Sequence, residues 1–392
     1  MRVALVNNFF PPRASGSAHL TEELARRVAA RGAEVLVVTA AFEDAAADEE
    51  RDGYRIVRLP SWSVPKTKLT MRFDVSFVSS PANVRRLFRL LDEFRPDLLY
   101  QHGQFFDLTF LTSWYARSRC VPTVLSVHTR LEHPSPPHGF ALWAGDVTLV
   151  RAFIAASRPH VVTMDRQMHE YVSRRYRVPE ARMPAIPVGV EPARFTGDGR
   201  DVRARLGLGT RPVVLSLGHV IPLRDRLLLV EAMPALLASH PDAVVVIAGK
   251  VYDDRFLRRA EDLGVVDHVV LAGGIASDAV PAYIAAADVE THELQGLGLG
   301  TASLEVMAAG VPVVAVVRPD NFPGVELRSW ENIVLAPPAD AGALAGAIGR
   351  LLDDGELAAR VAKGQRQLVD DHFTLDRVVD RHVALYERVT AG

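Results

Sequence analysis

The feature that most restricts this chain is an alternation repeated down its length: a short apolar run, a glycine-rich or polar loop, a helical pattern, then another apolar run. The first series opens with "RVALV" at 2–6, the loop "NNFFPPRASGS", and a helix that places Leu20, Leu24 and Val28 on one face before Gly32 ends it. "EVLVVTA", "DLLYQHG", "PTVLSVH", "HVVTM" and "MPAIPVGVE" follow. Runs this short and this apolar read as strands covered on both faces, and strands alternating with helices require a parallel sheet. After Phe195 comes "TGDGRD", the best linker in the chain, and then a second series: "PVVLSLG", "AVVVIAG", "HVVLAGG" and "VPVVAV". Helices are expected over about 226–239, 254–263 and 278–287, through "DAGALAGAIGRLLDD", and from Thr374, where Leu375, Val379, Val383 and Tyr386 share a face. The fold class is therefore α/β, with two doubly wound, Rossmann-like domains.

Composition agrees and narrows the function. At 392 residues the chain exceeds what one core usually supports. The formal net charge of −2 gives no reason to expect nucleic acid as a partner. A single cysteine, Cys120, excludes a disulfide framework and cysteine metal sites, and fits a reducing, cytoplasmic setting. The opening "MRVALVNNFF" is too short for a signal peptide or a membrane span, and no later apolar run reaches about 18 residues. Arginine far outnumbers lysine, which suggests a GC-rich bacterial source.

Parallel sheets bind ligands beyond the carboxyl ends of their strands, so the loops after Val6, Val127, Leu217, Leu271 and Val289 carry the candidates. In "QGLGLGTASLEVMAAG" a glycine loop enters a helix whose free N–H groups and positive dipole end suit a phosphate. Glu305, inside that helix, can accept hydrogen bonds from paired ribose-like hydroxyls; the plain alternative is a solvated helix residue. In "LSLGHVIPLRDR" Gly218 ends a strand, so His219 and Arg224 stand in the following loop, where an arginine can hold a diphosphate. Arg226 reads as an ordinary surface arginine, and His219 or His128 alone would be weak candidates.

Taken together, "SLGHVIPLRDRLLLVEAMPALL", "VVLAGGIASDAVPAYIAAADV", "GLGTASLEVMAAGVPVVA" and "LAPPADAGALAGAIGRLLDD" resemble the donor domain of family-4 glycosyltransferases, retaining enzymes of the GT-B fold. The first half fits the same family through "NNFFPPRASGSAHLTEELARRVAARGAEVLVVT" and "AIPVGVEPARF". The resemblance implies an N-terminal acceptor domain over 1–195, a nucleotide-sugar donor domain over 196–372, and a C-terminal helix, 373–392, that packs back on the first domain. It implies transfer of a sugar from a nucleotide diphosphate sugar to an acceptor hydroxyl with retention, and no required metal or further cofactor.

Carried over to this sequence, Glu305 matches the second glutamate of the family's E-x7-E motif, the ribose ligand. Arg224 matches the phosphate-binding lysine of G-R-x-x-x-x-K-G, and His219 replaces that segment's arginine. Gly274 and Ile275 fall where the base is held, and the amides of Gly300, Thr301 and Ala302 would cradle the diphosphate. Gly16 matches the N-terminal glycine loop, and His128 the histidine beside the reacting sugar. The catalytic set implied is His128, Arg224 and Glu305. The first glutamate of the motif is absent. Aligning the glycines puts Gln295 in its place, whereas counting back from Glu305 gives Leu297; Glu293 is a further alternative. Gln295 can still hydrogen-bond a sugar hydroxyl but carries no charge.

Two rivals remain at this level: a GT-B nucleotide-sugar 2-epimerase acting on the donor alone, and a degenerate nucleotide-sugar-binding subunit. The acceptor is not legible; residues 61–81 are expected to form part of its wall. "NVRRLFRLLDEFR" leaves a weak peripheral membrane contact open, with a solvated domain-surface helix as the plainer reading.

Overall fold

A computed structural model describes residues 1–13, 16–64, 75–132, 135–296 and 298–391. The chain forms two compact units, Met1–Pro187 with Val378–Gly392, and Val188–Arg377.

In the first unit the strands are β1 Arg2–Val6, β2 Glu34–Ala40, β3 Asp48–Arg51, β4 Tyr54–Leu59, β5 Trp62–Val64, β6 Val75–Phe77, β7 Leu98–His102, β8 Thr123–Val127 and β9 His160–Thr163. Seven of them make one sheet in the order β3-β4-β2-β1-β7-β8-β9, parallel except for β3, which hairpins onto β4; β5 and β6 pair separately. Every residue of β7 and β8 is buried, as strands covered on both faces must be. Strand order reverses at β1, whose neighbours are β2 and β7. The helix Leu375–Ala391 lends Val378, Val379, Leu385 and Tyr386 to the core formed by Val3, Leu5, Val35 and Tyr100.

The second unit has β10 Val213–Leu217, β11 Val244–Ala248, β12 Val269–Gly273 and β13 Val289–Glu290, all parallel, in the order β12-β11-β10-β13. A bridge from Glu290 to Val313 leads on to the short parallel pair β14 Val314–Ala315 and β15 Val334–Leu335. Here the order reverses at β10, so the loops after β10 and β13 leave the sheet edge on either side of the crevice where such folds hold ligands.

Several expectations shift. The units divide at Pro187/Val188 rather than at 195/196, because the turn Pro192–Phe195 packs against the helices Val280–Ala285 and Thr301–Ala309. "MPAIPVGVE" makes only isolated bridges, Thr163 with Ala185 and Val190 with Thr374. The β3–β4 hairpin and the helix Gly355–His372 are additions. Among the described residues one helical stretch, Pro136–Ser157, is long and apolar enough by composition to cross a membrane; it is interrupted by Asp146 and Arg151, and little of it is buried. Of the expected acceptor wall at 61–81, residues 65–74 lie outside the described residues.

Candidate functional site

The loop after β10 begins with a close backbone approach. Gly218 sits at φ 131°, and a Cβ on Gly249, at the end of β11, would lie 2.1 Å from the Gly218 carbonyl oxygen. Only glycine at 249 lets the two strand ends come this near. The chain then turns, with the Arg224 N–H donating to the Ile221 carbonyl at 2.8 Å, and enters the helix Leu227–Ser239. Arg224 lies at the rim, its side chain 40% exposed and its Nη2 3.4 Å from Glu293 Oε1.

Arg226 is not a surface arginine. It is wholly buried, donating from Nε to Ser216 Oγ at 2.6 Å, from Nη1 to the Arg224 carbonyl at 2.7 Å and from Nη2 to the Gly218 carbonyl at 3.3 Å. Burial pulls its pKa down to about 10, against the opposing pull of Glu290 and Glu293. Arg226 therefore ties the turn to β10 and holds Arg224 from behind.

His219 stands at the surface with its Nδ1 accepting from the Lys250 N–H at 3.1 Å, which makes the ring neutral in this arrangement. Partial desolvation and the nearby Lys250 charge hold its pKa below the usual range. It does not replace the fixed charge of an arginine at neutral pH.

The loop after β13 reaches the helix Thr301–Ala309 through Gly298, at φ 91°, and Gly300, the N-cap. No side chain caps that helix and no acid lies in its first turn, so the N–H groups of Thr301, Ala302 and Ser303 and the positive dipole end are open to an anion. A Cβ on Gly300 would lie 3.7 Å from Arg224 Nη2, which measures how near the guanidinium comes to the helix start. One turn in, Glu305 is half-buried and makes no hydrogen bond among the described residues. Burial pushes its pKa up to about 7, opposed by the Arg194 charge. Gly274 and Ile275 follow β12, with the aliphatic stem of Lys250 close to Gly274.

Gln295 is exposed and donates from Nε2 to Asp225 Oδ1 at 2.8 Å, an oxygen that also accepts from the Leu227 N–H at 3.1 Å. The amide thereby links the two loops. Leu297 lies outside the described residues. Glu293 is deeply buried beside Arg224 and Gly300. The second unit therefore gathers Gly218, Arg224, Gln295, Gly300 and the start of the helix bearing Glu305 around one switch point.

Gly16 and His128 belong to the first unit. Gly16 opens the helix Gly16–Ala30, and a Cβ there would meet nothing within 4 Å. His128 follows β8, stacks on His102 with ring centroids 4.5 Å apart, and engages Ser126 Oγ through Nε2 at 2.5 Å and Met164 Sδ through Nδ1 at 3.2 Å. Burial pulls it down to about 4, so the imidazole is neutral, and both of its nitrogens are engaged, one by Ser126 and the other by Met164. Sequence reasoning missed His102, buried at the end of the adjacent strand and in register with Ser126. It also missed Glu290 and His292, buried beside the notional phosphate loop. Their signal was present: three ionisable residues in "ETHE", directly after a strand that has to be covered.

No group of three or more His, Cys, Asp or Glu able to hold a metal is found among the described residues.

Known proteins match this chain over nearly its whole length. The family described as "Glycosyltransferase Family 4" matches residues 14–194, and "Glycosyl transferases group 1" matches residues 199–368. The GDP-mannose-dependent alpha-(1-6)-phosphatidylinositol monomannoside mannosyltransferase of Mycolicibacterium smegmatis is 30% identical over 390 residues, covering 95% of this chain and 93% of that protein. The D-inositol 3-phosphate glycosyltransferase of Acidothermus cellulolyticus is 29% identical, with 87% and 79% covered. Among solved structures, sucrose-phosphate synthase from Thermosynechococcus elongatus shares the fold at a TM-score of 0.72 and 23% identity, covering 100% of this chain and 99% of that one. The Anabaena protein HepE, in complex with UDP and glucose, does so at 0.70 and 17%, covering 99% and 100%. The chain belongs to glycosyltransferase family 4, and it is a retaining, nucleotide-sugar-dependent glycosyltransferase of the GT-B fold.

Proposed function

We propose that the second unit is the donor domain and that its switch-point crevice binds the nucleotide sugar. The diphosphate lies between Arg224 and the N–H groups of Gly300, Thr301 and Ala302, and the ribose hydroxyls are on Glu305. Gly218 and His219 line the turn, Gly274 and Ile275 hold the base, and Gln295 faces the sugar. The observation that carries this reading is the uncapped start of the helix Thr301–Ala309 with a partly exposed arginine beside it, at the reversal of strand order. As the diphosphate leaves, Arg224 and the helix start stabilise the negative charge that develops, while positive charge grows at the anomeric carbon. The first unit then supplies the acceptor side, with Gly16 and His128 as its candidate residues. Because His128 is neutral, it acts by orientation and polarity and not as a fixed cation.

The donor and acceptor classes follow the relatives. A mannosyltransferase using GDP-mannose and a D-inositol 3-phosphate glycosyltransferase both align over most of the chain, so GDP-mannose is the first donor and a phosphoinositol-bearing compound the first acceptor. The test is thermal stabilisation by a panel of nucleotide sugars, followed by transfer assays with the best donor. Stabilisation by one nucleotide sugar and transfer to an inositol-bearing acceptor support the reading. Turnover of the sugar without any acceptor favours an epimerase, and nucleotide binding without turnover favours a binding subunit.

A further inference from the structure

Glu290, His292 and Glu293 are 0%, 3% and 1% exposed, and the donor reading above uses none of them. Their backbone is clamped: the Thr291 N–H donates to the Leu215 carbonyl at 2.8 Å, and the Val316 N–H to the Glu293 carbonyl at 2.8 Å. The side chains form one line. His292 Nδ1 hydrogen-bonds Glu290 Oε1, His292 Nε2 lies 3.3 Å from Glu293 Oε1, and that oxygen lies 3.4 Å from Arg224 Nη2. On the other side, a Cβ on Gly218 would stand 3.8 Å from His292 Cδ2 and 3.9 Å from Arg226 Nη2, so His292 and Arg226 share the space under the turn.

Charge makes the line consequential. Two ionised carboxylates in this buried place are tolerable only against two cations, Arg226 and a charged His292. With that balance the buried set is neutral, and the Arg224 charge is left whole for an anion. Among the described residues neither Glu293 oxygen meets hydrogen-bond geometry with any donor, so ion pairing to His292 and Arg224 sets the carboxylate's place, and the carboxylate in turn sets theirs.

We propose that Glu293, backed by His292 and Glu290, is a positioning residue that fixes the Arg224 guanidinium at the start of the helix Thr301–Ala309. This rests on the donor reading of that helix. The charged groups facing His292 are Glu290 and Glu293 on its own segment, with Arg226 of the turn after β10 sharing the space under Gly218. The two glutamates push His292 up to about 9, so it stays charged across the neutral range. Removing the Glu293 charge lets His292 fall back toward that range, and a proton is then lost as pH rises.

The experiment is calorimetric binding of GDP and UDP, with guanosine and uridine as uncharged controls, at pH 6, 7 and 8. It uses the full-length wild type, Glu293→Gln, Glu293→Asp, Arg224→Gln and the Glu293→Gln/Arg224→Gln pair. Glu293→Gln is expected to weaken diphosphate binding about tenfold, as loss of a residue supporting a ligand commonly does. Nucleoside binding stays unchanged, the diphosphate loss is greater at pH 8 than at pH 6, and Glu293→Asp recovers part of it. In the Arg224→Gln background Glu293→Gln should cost nothing further. Unchanged diphosphate affinity, an equal loss for nucleosides, or full additivity in the double variant overturns the proposal. Should Glu293→Gln fail to fold, nitrogen-labelled histidine NMR on the wild type decides: a charged His292 at pH 8 is expected, and a neutral one at pH 7 overturns it. A wild type that binds neither GDP nor UDP overturns the donor reading and this proposal with it, whereas intact binding untouched by Glu293→Gln overturns this proposal alone.

Discussion

Glu305 should make nucleotide binding pH-dependent. Its carboxyl is pushed up from 4.5 to about 7 by burial, and it has no hydrogen-bond donor of its own among the described residues. Ribose hydroxyls donating to the carboxylate favour the ionised form, so binding has to drive off the proton wherever the free protein still holds it. With a pKa near 7 the group is about 90% protonated at pH 6 and about 90% ionised at pH 8, so affinity should rise about tenfold between the two. Glu305→Gln removes the proton and should flatten that slope. The nucleotide's own phosphate titrates in the same range but is common to both proteins, so their difference isolates residue 305. Calorimetry at pH 6 in two buffers of different ionisation enthalpy should show close to one more proton released by the wild type than by the variant. The sign for stability runs the other way: the folded state holds this proton more tightly than the unfolded chain. Stability from this group is therefore complete below pH 4.5 and is lost as pH rises through about 7, by at most about 3–4 kcal/mol. Equal slopes for wild type and Glu305→Gln would refute the assignment. Glu305→Ala, which also loses the acceptor, should weaken nucleotide binding about 10- to 100-fold.

Arg224→Ala should lower turnover more than it weakens nucleoside monophosphate binding, because its charge matters most as the diphosphate departs; steady-state kinetics beside calorimetry test this. His128→Ala should cut transfer by at least about 10²-fold while sparing nucleotide affinity. With His128 held near 4, the wild-type rate between pH 6 and 8 should show no ionisation of this residue, which NMR of labelled histidine can check. Gln295→Ala should leave free diphosphate binding nearly unchanged and weaken the complete nucleotide sugar by about 0.5–1.5 kcal/mol, measured by competition. Gly249→Ala places a methyl group 2.1 Å from the Gly218 carbonyl oxygen and should destabilise the second unit by a few kcal/mol in denaturant melts.

The paired α/β series was legible because strands such as "RVALV" and "PTVLSV" must be apolar at nearly every position when both faces are covered. The glycine loop running into the helix Thr301–Ala309 was legible because glycines spaced before an apolar, small-residue run mark a loop that enters a helix. What escaped depends on side-chain direction. Arg224 and Arg226 differ by two positions and share one chemistry, yet the turn sends one to the rim and the other under Gly218. Glu290 and His292 look like loop residues, and only the pairing of Glu290 with Leu215 on one side and its bridge to Val313 on the other show that the sheet extends to them. The unit boundary moved because Pro192–Phe195, a polar-looking turn, packs its Phe195 into the second unit. The engagement of His128 Nδ1 depends on Met164, 36 residues away, and no local pattern announces it.

A crystal structure of the protein with a bound nucleotide sugar tests the central claim most directly. The account predicts diphosphate oxygens within hydrogen-bond distance of Arg224 and of the N–H groups at the start of Thr301–Ala309, with both ribose hydroxyls on Glu305. A nucleotide bound elsewhere, or one in this crevice with its ribose turned away from Glu305, would contradict it.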